Sequence, residues 1–259
     1  MIRCVRAGAL LCAVLIALAV PQLSLGQPAS DPAQSSHPIK IVLVGDSTVA
    51  LEGGWGPGFC AWVKPVAQCI DLAANGRSTK SFLDQGLWQK ALDERGNFYF
   101  IQFGHNDQKP RPALHTDPDT TYAQNLRLYV RDVQAIGGTP ILVTPLSRRN
   151  YKDGQLAVDP LQDYARAARG VATEMNVPLI DLYQLSTALL PTMTQEEADR
   201  FDAVAHPDAS AEGSTQVTPD RTHLNDSGKQ FFGTMMADEA KEKVPGLSRW
   251  MRAHAQPTH

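Results

Sequence analysis

The feature that most limits the possible folds is the regular alternation of short apolar runs with amphipathic stretches. Each run is continuously apolar, as is typical of strands in a parallel sheet that is covered on both faces. The five runs are Ile41–Gly45, Cys69–Ala73, Phe98–Gly104, Pro140–Pro145 and Val177–Leu182. The amphipathic stretches lie at about 79–92, 119–136, 161–175 and 226–244. This order predicts an α/β fold, a three-layer α/β/α sandwich around a central, mostly parallel five-stranded sheet with right-handed crossovers.

The C-terminal third of the chain carries two further signals. Asn225 is a suitable N-cap for the last helix, and a stripe of Phe and Met residues on that helix is typical of core packing. The segment 184–219 has weaker periodicity, so we expect irregular chain there with one short helix.

The first 26 residues have the layout of a secretory signal peptide. Arg3 and Arg6 precede an apolar run over Ala7–Val20, which is too short to span a membrane comfortably, and Gly26 is the last of the small residues that follow. We therefore expect cleavage near Gly26 and a flexible leader over 27–38. The protein would then be secreted or periplasmic, with no stable membrane anchor. A retained N-terminal anchor is the alternative.

The rest of the chain has the length of a single domain, residues 39–259. The full sequence of 259 residues has 24 Lys and Arg against 27 Asp and Glu, and loss of Arg3 and Arg6 leaves 22 against 27, a net charge of −5. Because a nucleic-acid partner requires clustered basic residues in excess, this balance argues against one. We expect a monomer.

Two cysteines remain after removal of the predicted signal peptide. Cys60 and Cys69 would meet an oxidising compartment, where a disulfide is one interpretation and two buried thiols are the other. The sequence has no closely spaced cysteine pair and no paired histidines on a helix with a glutamate between them, so we expect no metal site.

Polar groups follow the predicted strands at the edge of the sheet where ligands bind in open parallel folds. These groups are Gly45-Asp46-Ser47-Thr48, Asn75-Gly76-Arg77-Ser78, Gly104-His105-Asn106-Asp107 and, before the last helix, Asp220-Arg221-Thr222-His223. Each group has an ordinary interpretation as a cap, a turn or a satisfied polar residue. Together they contain every part that an acyl-transfer site needs.

A serine hydroxyl becomes a good nucleophile only when a base within hydrogen-bond reach takes its proton. Ser47 is the candidate nucleophile and His223 the candidate base. Asp220, three residues before His223, can hold the second ring nitrogen and stabilise the imidazolium. The candidate oxyanion donors are the backbone N–H groups of Ser47 and Gly76 and the side-chain amide of Asn106.

The four polar groups together resemble the blocks of the GDSL/SGNH hydrolases, and more narrowly of their rhamnogalacturonan acetylesterase-like branch. The resemblance covers about 41–243, with Thr48 at a position where many relatives have Leu. It implies a flavodoxin-like fold, no metal or organic cofactor, and removal of acetyl groups from a pectic polysaccharide. The expected partner is therefore an acetylated polysaccharide or oligosaccharide.

Four further residues are candidates for contact with the sugar. Trp55 follows the nucleophile group in a glycine-rich run and would either stack on a sugar ring or pack internally. Arg148 and Arg149 follow the fourth strand and would either pair with uronate carboxylates or form a solvated loop. His105 would contact substrate or be a satisfied buried histidine.

Two other functions compete with a carbohydrate acetylesterase. A thioesterase or lysophospholipase would use the same reacting groups, but the sequence has no apolar insertion to hold a long acyl chain. A carbohydrate-binding protein with a relict site would not need Ser47, Asp220 and His223 together. An α/β-hydrolase is disfavoured, because the Gly-x-Ser-x-Gly elbow is missing and Ser47 follows the first strand.

Overall fold

The computed structural model describes residues 38–204 and 219–254. The strands in these ranges are β1 (Ile39–Gly45), β2 (Ala67–Asp71), β3 (Phe98–Gln102), β4 (Thr139–Val143), β5 (Tyr151–Lys152), β6 (Gln155–Leu156), β7 (Leu179–Ile180), β8 (Asp202–Ala203) and β9 (Asp220–Leu224). The predicted signal peptide, residues 1–26, and all of the predicted leader except Pro38 lie outside them. All described residues belong to one compact unit, His37–His259.

Five of the strands form a central sheet in the order β2-β1-β3-β4-β7, and every neighbouring pair is parallel. The predicted five-stranded sheet is therefore confirmed, and each of the five apolar runs supplies one strand. The last strand is shorter than expected, because only Leu179 and Ile180 pair with β4. The strand order reverses between β1 and β3, and this reversal opens a crevice at their carboxyl ends.

Eight α-helices lie in the described ranges: α1 (Gly56–Cys60), α2 (Thr79–Asp84), α3 (Leu87–Asp93), α4 (Ala123–Ala135), α5 (Leu161–Met175), α6 (Leu182–Leu189), α7 (Gln195–Asp199) and α8 (Asp226–Lys243). A π-helical turn at Pro118–Tyr122 leads into α4, and two 3₁₀ turns lie at Leu190–Thr192 and Ser248–Trp250. The predicted stretch 79–92 is split into α2 and α3. The predicted N-cap of the last helix is confirmed, since the Asn225 side chain accepts from the Gly228 N–H at 2.9 Å.

The helices cover both faces of the sheet. Successive side chains of β1 point to opposite faces, so Leu43 packs with Phe59 of α1 and Phe232 of α8, whereas Val44 packs against the layer formed by α2 to α5. The predicted three-layer sandwich is therefore confirmed. In the Phe and Met stripe of α8, Phe232 is fully buried, while Phe231 is partly exposed.

Two antiparallel pairs of short strands lie outside the central sheet, β5 with β6 and β8 with β9. The segment 184–219 was expected to be irregular with one short helix, but its described part, 184–204, contains most of α6 and all of α7. A side-chain cap starts each of these helices, since Asp181 accepts from the Gln184 N–H and Thr194 accepts from the Glu197 N–H.

Helices α1 and α8 approach each other backbone to backbone at two glycines. A Cβ at Gly58 would overlap the carbonyl oxygen of Lys229, and a Cβ at Gly233 would overlap the backbone of Gly58 and Phe59. Only glycine allows so close an approach. Because α1 follows the loop after β1 and α8 follows β9, this contact fixes the position of that loop relative to β9.

Cys60 and Cys69 form a disulfide, with their Cα atoms 5.5 Å apart. It joins the end of α1 to β2. The disulfide is therefore confirmed, and the alternative of two buried thiols is wrong. Among the described residues, none of the helices combines the length and the apolarity that crossing a membrane requires.

Candidate active site

A cleft of about 440 Å³ opens at the carboxyl ends of β1 and β3, at the reversal of strand order. The predicted reacting groups all line it: Ser47, Gly76, Asn106, Asp220 and His223. These residues are far apart in the sequence. The loops after the parallel strands β1, β2 and β3 bring Ser47, Gly76 and Asn106 to one edge of the sheet, and β9 brings Asp220 and His223 to the same cleft.

Ser47, His223 and Asp220 form a continuous chain of hydrogen bonds. The Ser47 Oγ lies 2.8 Å from His223 Nε2, and the Nδ1 of the same ring lies 2.6 Å from Asp220 Oδ2. A carboxylate at Nδ1 favours the tautomer with its proton on that nitrogen, so Nε2 presents its lone pair to the hydroxyl. The arrangement can accept the serine proton and leave a nucleophilic oxygen facing the cleft.

The Asp220 carboxylate also accepts two backbone N–H groups, from Thr222 at 3.0 Å and from His223 at 3.1 Å. Burial alone would raise the pKa of Asp220, but the hydrogen bonds from the His223 ring and from these backbone groups hold it below its ordinary value. The carboxylate is therefore ionised at neutral pH and can stabilise an imidazolium on His223.

The loop that carries Ser47 is fixed by a buried polar network. Asp46 Oδ1 accepts from the N–H and the hydroxyl of Thr48, at 2.9 and 2.7 Å. The Thr48 hydroxyl accepts from the Gln102 side chain, whose oxygen in turn accepts from Trp55 Nε1 at 2.8 Å. The expected sugar contact of Trp55 is wrong, because this side chain is fully buried and meets Phe59 edge to face.

The strand that carries His223 is held from two sides. Its neighbour Leu224 donates its N–H to the carbonyl of Gly53 at 2.9 Å, and a Cβ at Gly53 would lie 3.0 Å from the Cβ of His223. On the other side, Arg149 Nη2 donates to the His223 carbonyl at 2.7 Å.

Arg149 is fully buried and forms an ion pair with Asp202. The expectation that Arg149 contacts substrate is therefore wrong, since its guanidinium joins β8 to β9 beneath the cleft. Its neighbour Arg148 does line the cleft, where its Nη1 donates to both oxygens of Asp159 at 2.8 and 3.1 Å.

The expected oxyanion donors lie on neighbouring loops of the cleft. Gly76 has a φ of +74°, in the left-handed region, and no atom lies within 4 Å of where its Cβ would be. Within residues 38–204 and 219–254, neither the Gly76 N–H nor the Ser47 N–H donates to a protein acceptor. The third expected donor, the Asn106 amide, is almost fully buried and donates one N–H to the carbonyl of Arg77 at 3.0 Å.

Asp107 joins the loop of Gly76 to the loop of Asn106. Its Oδ1 accepts the hydroxyl of Thr79 at 2.6 Å and that of Thr116 at 2.7 Å, and also the Thr79 N–H at 3.0 Å. Burial raises the pKa of Asp107 to about 7, although these donors oppose the shift. This buried carboxyl holds the two loops in register.

His105 lies in the wall of the cleft but is only 3% exposed. Its Nδ1 is 3.7 Å from Asp46 Oδ2 and 3.5 Å from the Thr48 hydroxyl. The side chain is therefore buried against polar partners, as expected of a satisfied histidine, although it also borders the cleft. Contact between His105 and substrate stays a prediction.

Lys109 also lines the cleft, although it was not among the residues that the sequence motifs predicted. Its ammonium donates to the Asn106 side-chain oxygen at 2.6 Å. The sequence could have pointed to Lys109 through its spacing of three residues from Asn106, which places both residues on one turn. Among the described residues, no group of three or more His, Cys, Asp or Glu side chains is arranged to hold a metal ion.

The parallel sheet, the crevice and the serine, histidine and aspartate that meet there fit an acyl-transfer hydrolase, and the family and relatives of the chain define its class as a carboxylic ester hydrolase. The chain belongs to the GDSL-like lipase/acylhydrolase family, whose model matches residues 43–231. The predicted resemblance is therefore confirmed.

Two proteins of Bacillus subtilis are similar over most of their length. One, described as a probable rhamnogalacturonan acetylesterase YesY, is 34% identical over 78% of this chain and 92% of its own. The other, the rhamnogalacturonan acetylesterase RhgT, is 31% identical over 79% of this chain and 90% of its own.

Solved structures share the fold at lower identity. The Bacillus subtilis protein YxiM matches with a TM-score of 0.64 and 22% identity over 80% of this chain, and this chain spans 57% of that protein. A catalytic mutant of Axe2, an acetylxylan esterase from Geobacillus stearothermophilus, matches with a TM-score of 0.56 and 17% identity, covering 83% of this chain and 97% of its own.

Proposed function

We propose that this protein is a serine esterase that removes O-acetyl groups from a carbohydrate, with acetylated rhamnogalacturonan as its substrate. The observation that carries the proposal is the hydrogen-bonded chain from the Ser47 hydroxyl through His223 to Asp220 at the open cleft. The substrate assignment rests on the similarity to YesY and RhgT, both described as rhamnogalacturonan acetylesterases.

In the acylation half-reaction, Ser47 Oγ bonds to the acetyl carbon while its proton moves to His223 Nε2. The carbonyl oxygen becomes an oxyanion, and the N–H groups of Ser47, Gly76 and Asn106 donate to it. As the tetrahedral intermediate collapses, the bond from carbon to the sugar oxygen breaks, and His223 gives that oxygen the proton. Asp220 stabilises the imidazolium between these two transfers.

The deacylation half-reaction repeats these steps with water. His223 takes a proton from a water molecule, whose oxygen bonds to the acetyl carbon of the acyl-enzyme. Collapse of the second tetrahedral intermediate breaks the bond to Ser47 Oγ, and the proton returns to that oxygen. The products are acetate and free enzyme, and every step uses side chains already at the cleft.

The form of the cleft supports a small acyl group. Most of its lining residues are polar or charged, and its volume of about 440 Å³ is at the lower end for small-molecule sites. A long acyl chain requires an extended apolar surface, as in a lysophospholipase or long-chain thioesterase. Lys109 and Arg148 line the cleft together with the carboxylates Glu52 and Asp220, and Arg148 is paired with Asp159, so the lining carries both signs of charge.

The test compares acetate release from acetylated rhamnogalacturonan and from acetylated xylan with fatty-acid release from a lysophospholipid. We expect the first substrate to be hydrolysed fastest and Ser47→Ala to abolish the release, because the variant has no nucleophile. A folded Ser47→Ala protein with full turnover would refute the nucleophile. Equal rates of hydrolysis on the three substrates would refute the substrate class while leaving the mechanism intact.

The proposal extends to an exported protein. The pattern of the first 26 residues supports export, and the Cys60–Cys69 disulfide is typical of an oxidising compartment. Mass spectrometry of protein recovered outside the cytoplasm is expected to find a new N-terminus near Gln27. An intact N-terminus in the cytoplasmic fraction would contradict export. The monomeric state stays a prediction.

A further inference from the structure

The Asn106 side chain has a defined orientation because both ends of its amide have protein partners. Its nitrogen donates to the carbonyl of Arg77 at 3.0 Å, and its oxygen accepts from the Lys109 ammonium at 2.6 Å. An amide nitrogen has two N–H groups, so one remains for a ligand in the cleft. The orientation of the amide decides whether this free N–H or the side-chain oxygen faces the cleft.

A reversal of the amide would be costly at both ends. The nitrogen would then face the Lys109 ammonium, which also has only hydrogens to offer, and the oxygen would face the Arg77 carbonyl, another acceptor. Because Asn106 is almost fully buried, water cannot replace the lost partners. The contact to Arg77 alone is an uncharged hydrogen bond, whereas the contact to Lys109 is assisted by charge and is the stronger of the two.

The local backbone explains how Lys109 reaches this position. The Lys109 N–H donates to the Asn106 carbonyl at 3.2 Å, and the Gln108 N–H donates to the Gly104 carbonyl at 3.2 Å. These bonds close a turn after β3, so the Lys109 side chain returns over the residue three positions earlier. Asp107, inside the same turn, is anchored to Thr79 and Thr116 and keeps the turn in place.

We infer that Lys109 is a positioning residue for the oxyanion donor, which holds the Asn106 amide with its nitrogen toward the cleft and polarises its free N–H. The inference rests on the proposed function, because it gives Lys109 a role only if Asn106 donates to the oxyanion. Lys109 acts through Asn106 and does not touch the reacting atoms.

The test uses p-nitrophenyl acetate, an uncharged substrate that offers Lys109 no carboxylate to bind. We expect Asn106→Ala to lower kcat by about 10²- to 10³-fold through loss of one oxyanion donor. Lys109→Met is expected to lower kcat about tenfold with KM unchanged, the size of effect that one weakened charge-assisted bond produces. Lys109→Arg should restore most of the activity, because it keeps a charged donor.

A double variant separates this role from others. If Lys109 acts through Asn106, the combination of Lys109→Met with Asn106→Ala has the kcat of Asn106→Ala alone. The matched control is Lys80→Met, which removes a lysine that donates to the Pro112 carbonyl outside the cleft lining and is expected to leave kcat unchanged. Thermal unfolding of each variant shows whether it is folded.

The outcomes that overturn the inference are distinct. Wild-type kcat in a folded Lys109→Met protein, a raised KM with unchanged kcat, or additive losses in the double variant would each remove Lys109 from this role. In those cases the loss of kcat in Asn106→Ala leaves the oxyanion assignment standing. Wild-type kcat in Asn106→Ala would overturn that assignment and the inference together.

Discussion

Two pairs of imidazole and carboxylate lie beside the same serine, and they differ in distance and in access to water. In the first pair, His223 Nδ1 is 2.6 Å from Asp220 Oδ2, and the two side chains are 34% and 32% exposed. In the second pair, His105 Nδ1 is 3.7 Å from Asp46 Oδ2, and the two side chains are 3% and 0% exposed. Both histidines line the cleft.

The difference in burial gives the two pairs of the same chemical groups different roles. Burial lowers the pKa of His105, although the Asp46 carboxylate opposes the shift, so this ring is neutral at neutral pH. Burial would raise the pKa of Asp46, but hydrogen bonds from His105 and Thr48 hold it below its ordinary value. The half-exposed ring of His223 can accept a proton while solvent and Asp220 stabilise the charge. The buried ring of His105 serves as a fixed polar group.

The largest expected effect comes from removal of the half-exposed ring. His223→Ala is expected to lower kcat for p-nitrophenyl acetate by about 10⁶-fold, because in the described part of the chain no other base hydrogen-bonds to Ser47. The control is His254→Ala, which removes a surface histidine paired with Asp238 and is expected to keep wild-type turnover. If the two variants had similar rates, the proposed division of tasks would be refuted.

The next effect comes from the carboxylate of the same pair. Asp220→Asn keeps an acceptor for the backbone N–H groups of Thr222 and His223 but no longer favours the productive tautomer, so kcat is expected to fall about 10⁴-fold. Asp226→Asn, a change at an almost fully exposed residue, is the control. A loss below tenfold in Asp220→Asn would mean that Asp220 only shapes the loop.

The smallest expected effect on rate comes from the buried pair. His105→Gln is expected to lower kcat/KM about tenfold, the cost of one hydrogen bond, and to leave the shape of its pH dependence unchanged, because this ring does not take the Ser47 proton. A pH–rate profile of the variant and the wild type measures both quantities. If His105→Gln changed the shape of the profile, His105 would act as a base in the reaction rather than as a fixed polar group.

The buried pair is expected to affect the stability of the fold as well as the rate. The pKa of His105 is lowered from 6.5, so below that pH the unfolded chain binds a proton that the folded ring does not. The contribution of His105 to the free energy of unfolding should therefore be greatest above pH 6.5 and fall on acidification by up to about 1.4 kcal/mol per pH unit. His105→Gln lacks this contribution, so its deficit relative to wild type should shrink between pH 7 and pH 5.5 in urea unfolding. A constant deficit would contradict the shift.

Much of the fold follows from patterns that the sequence displays directly. Continuous apolar runs predicted all five strands of the parallel sheet, and the loops after them predicted where polar residues would meet. The prediction was less accurate for short elements. Only two residues of the run 177–182 pair as β7, and 220–224 forms a strand because it pairs with β8, a long-range partner that local periodicity does not reveal.

The site shows the same limit at the level of single side chains. Ser47, Gly76 and Asn106 were predicted from their chemistry and their places after strands. Asp220 and His223 were predicted from their chemistry and their spacing ahead of the last helix. Arg149 and Trp55 were assigned to the cleft because they are near it in sequence, but the direction of each side chain depends on a buried partner, Asp202 for Arg149 and Gln102 for Trp55. Such partners are identified only once the fold is known.

The glycine contact between α1 and α8 sets the separation of hydroxyl and imidazole at a place that no substrate reaches. A methyl group at Gly58 or Gly233 would force these helices apart and move the segments that precede them, which are the loop of Ser47 and the strand β9. A homologue altered there would keep every residue of the reacting set and still fail to turn over. Genome surveys that count intact motifs would record such a pseudoenzyme as active, so these two glycines belong among the positions used to classify sequences.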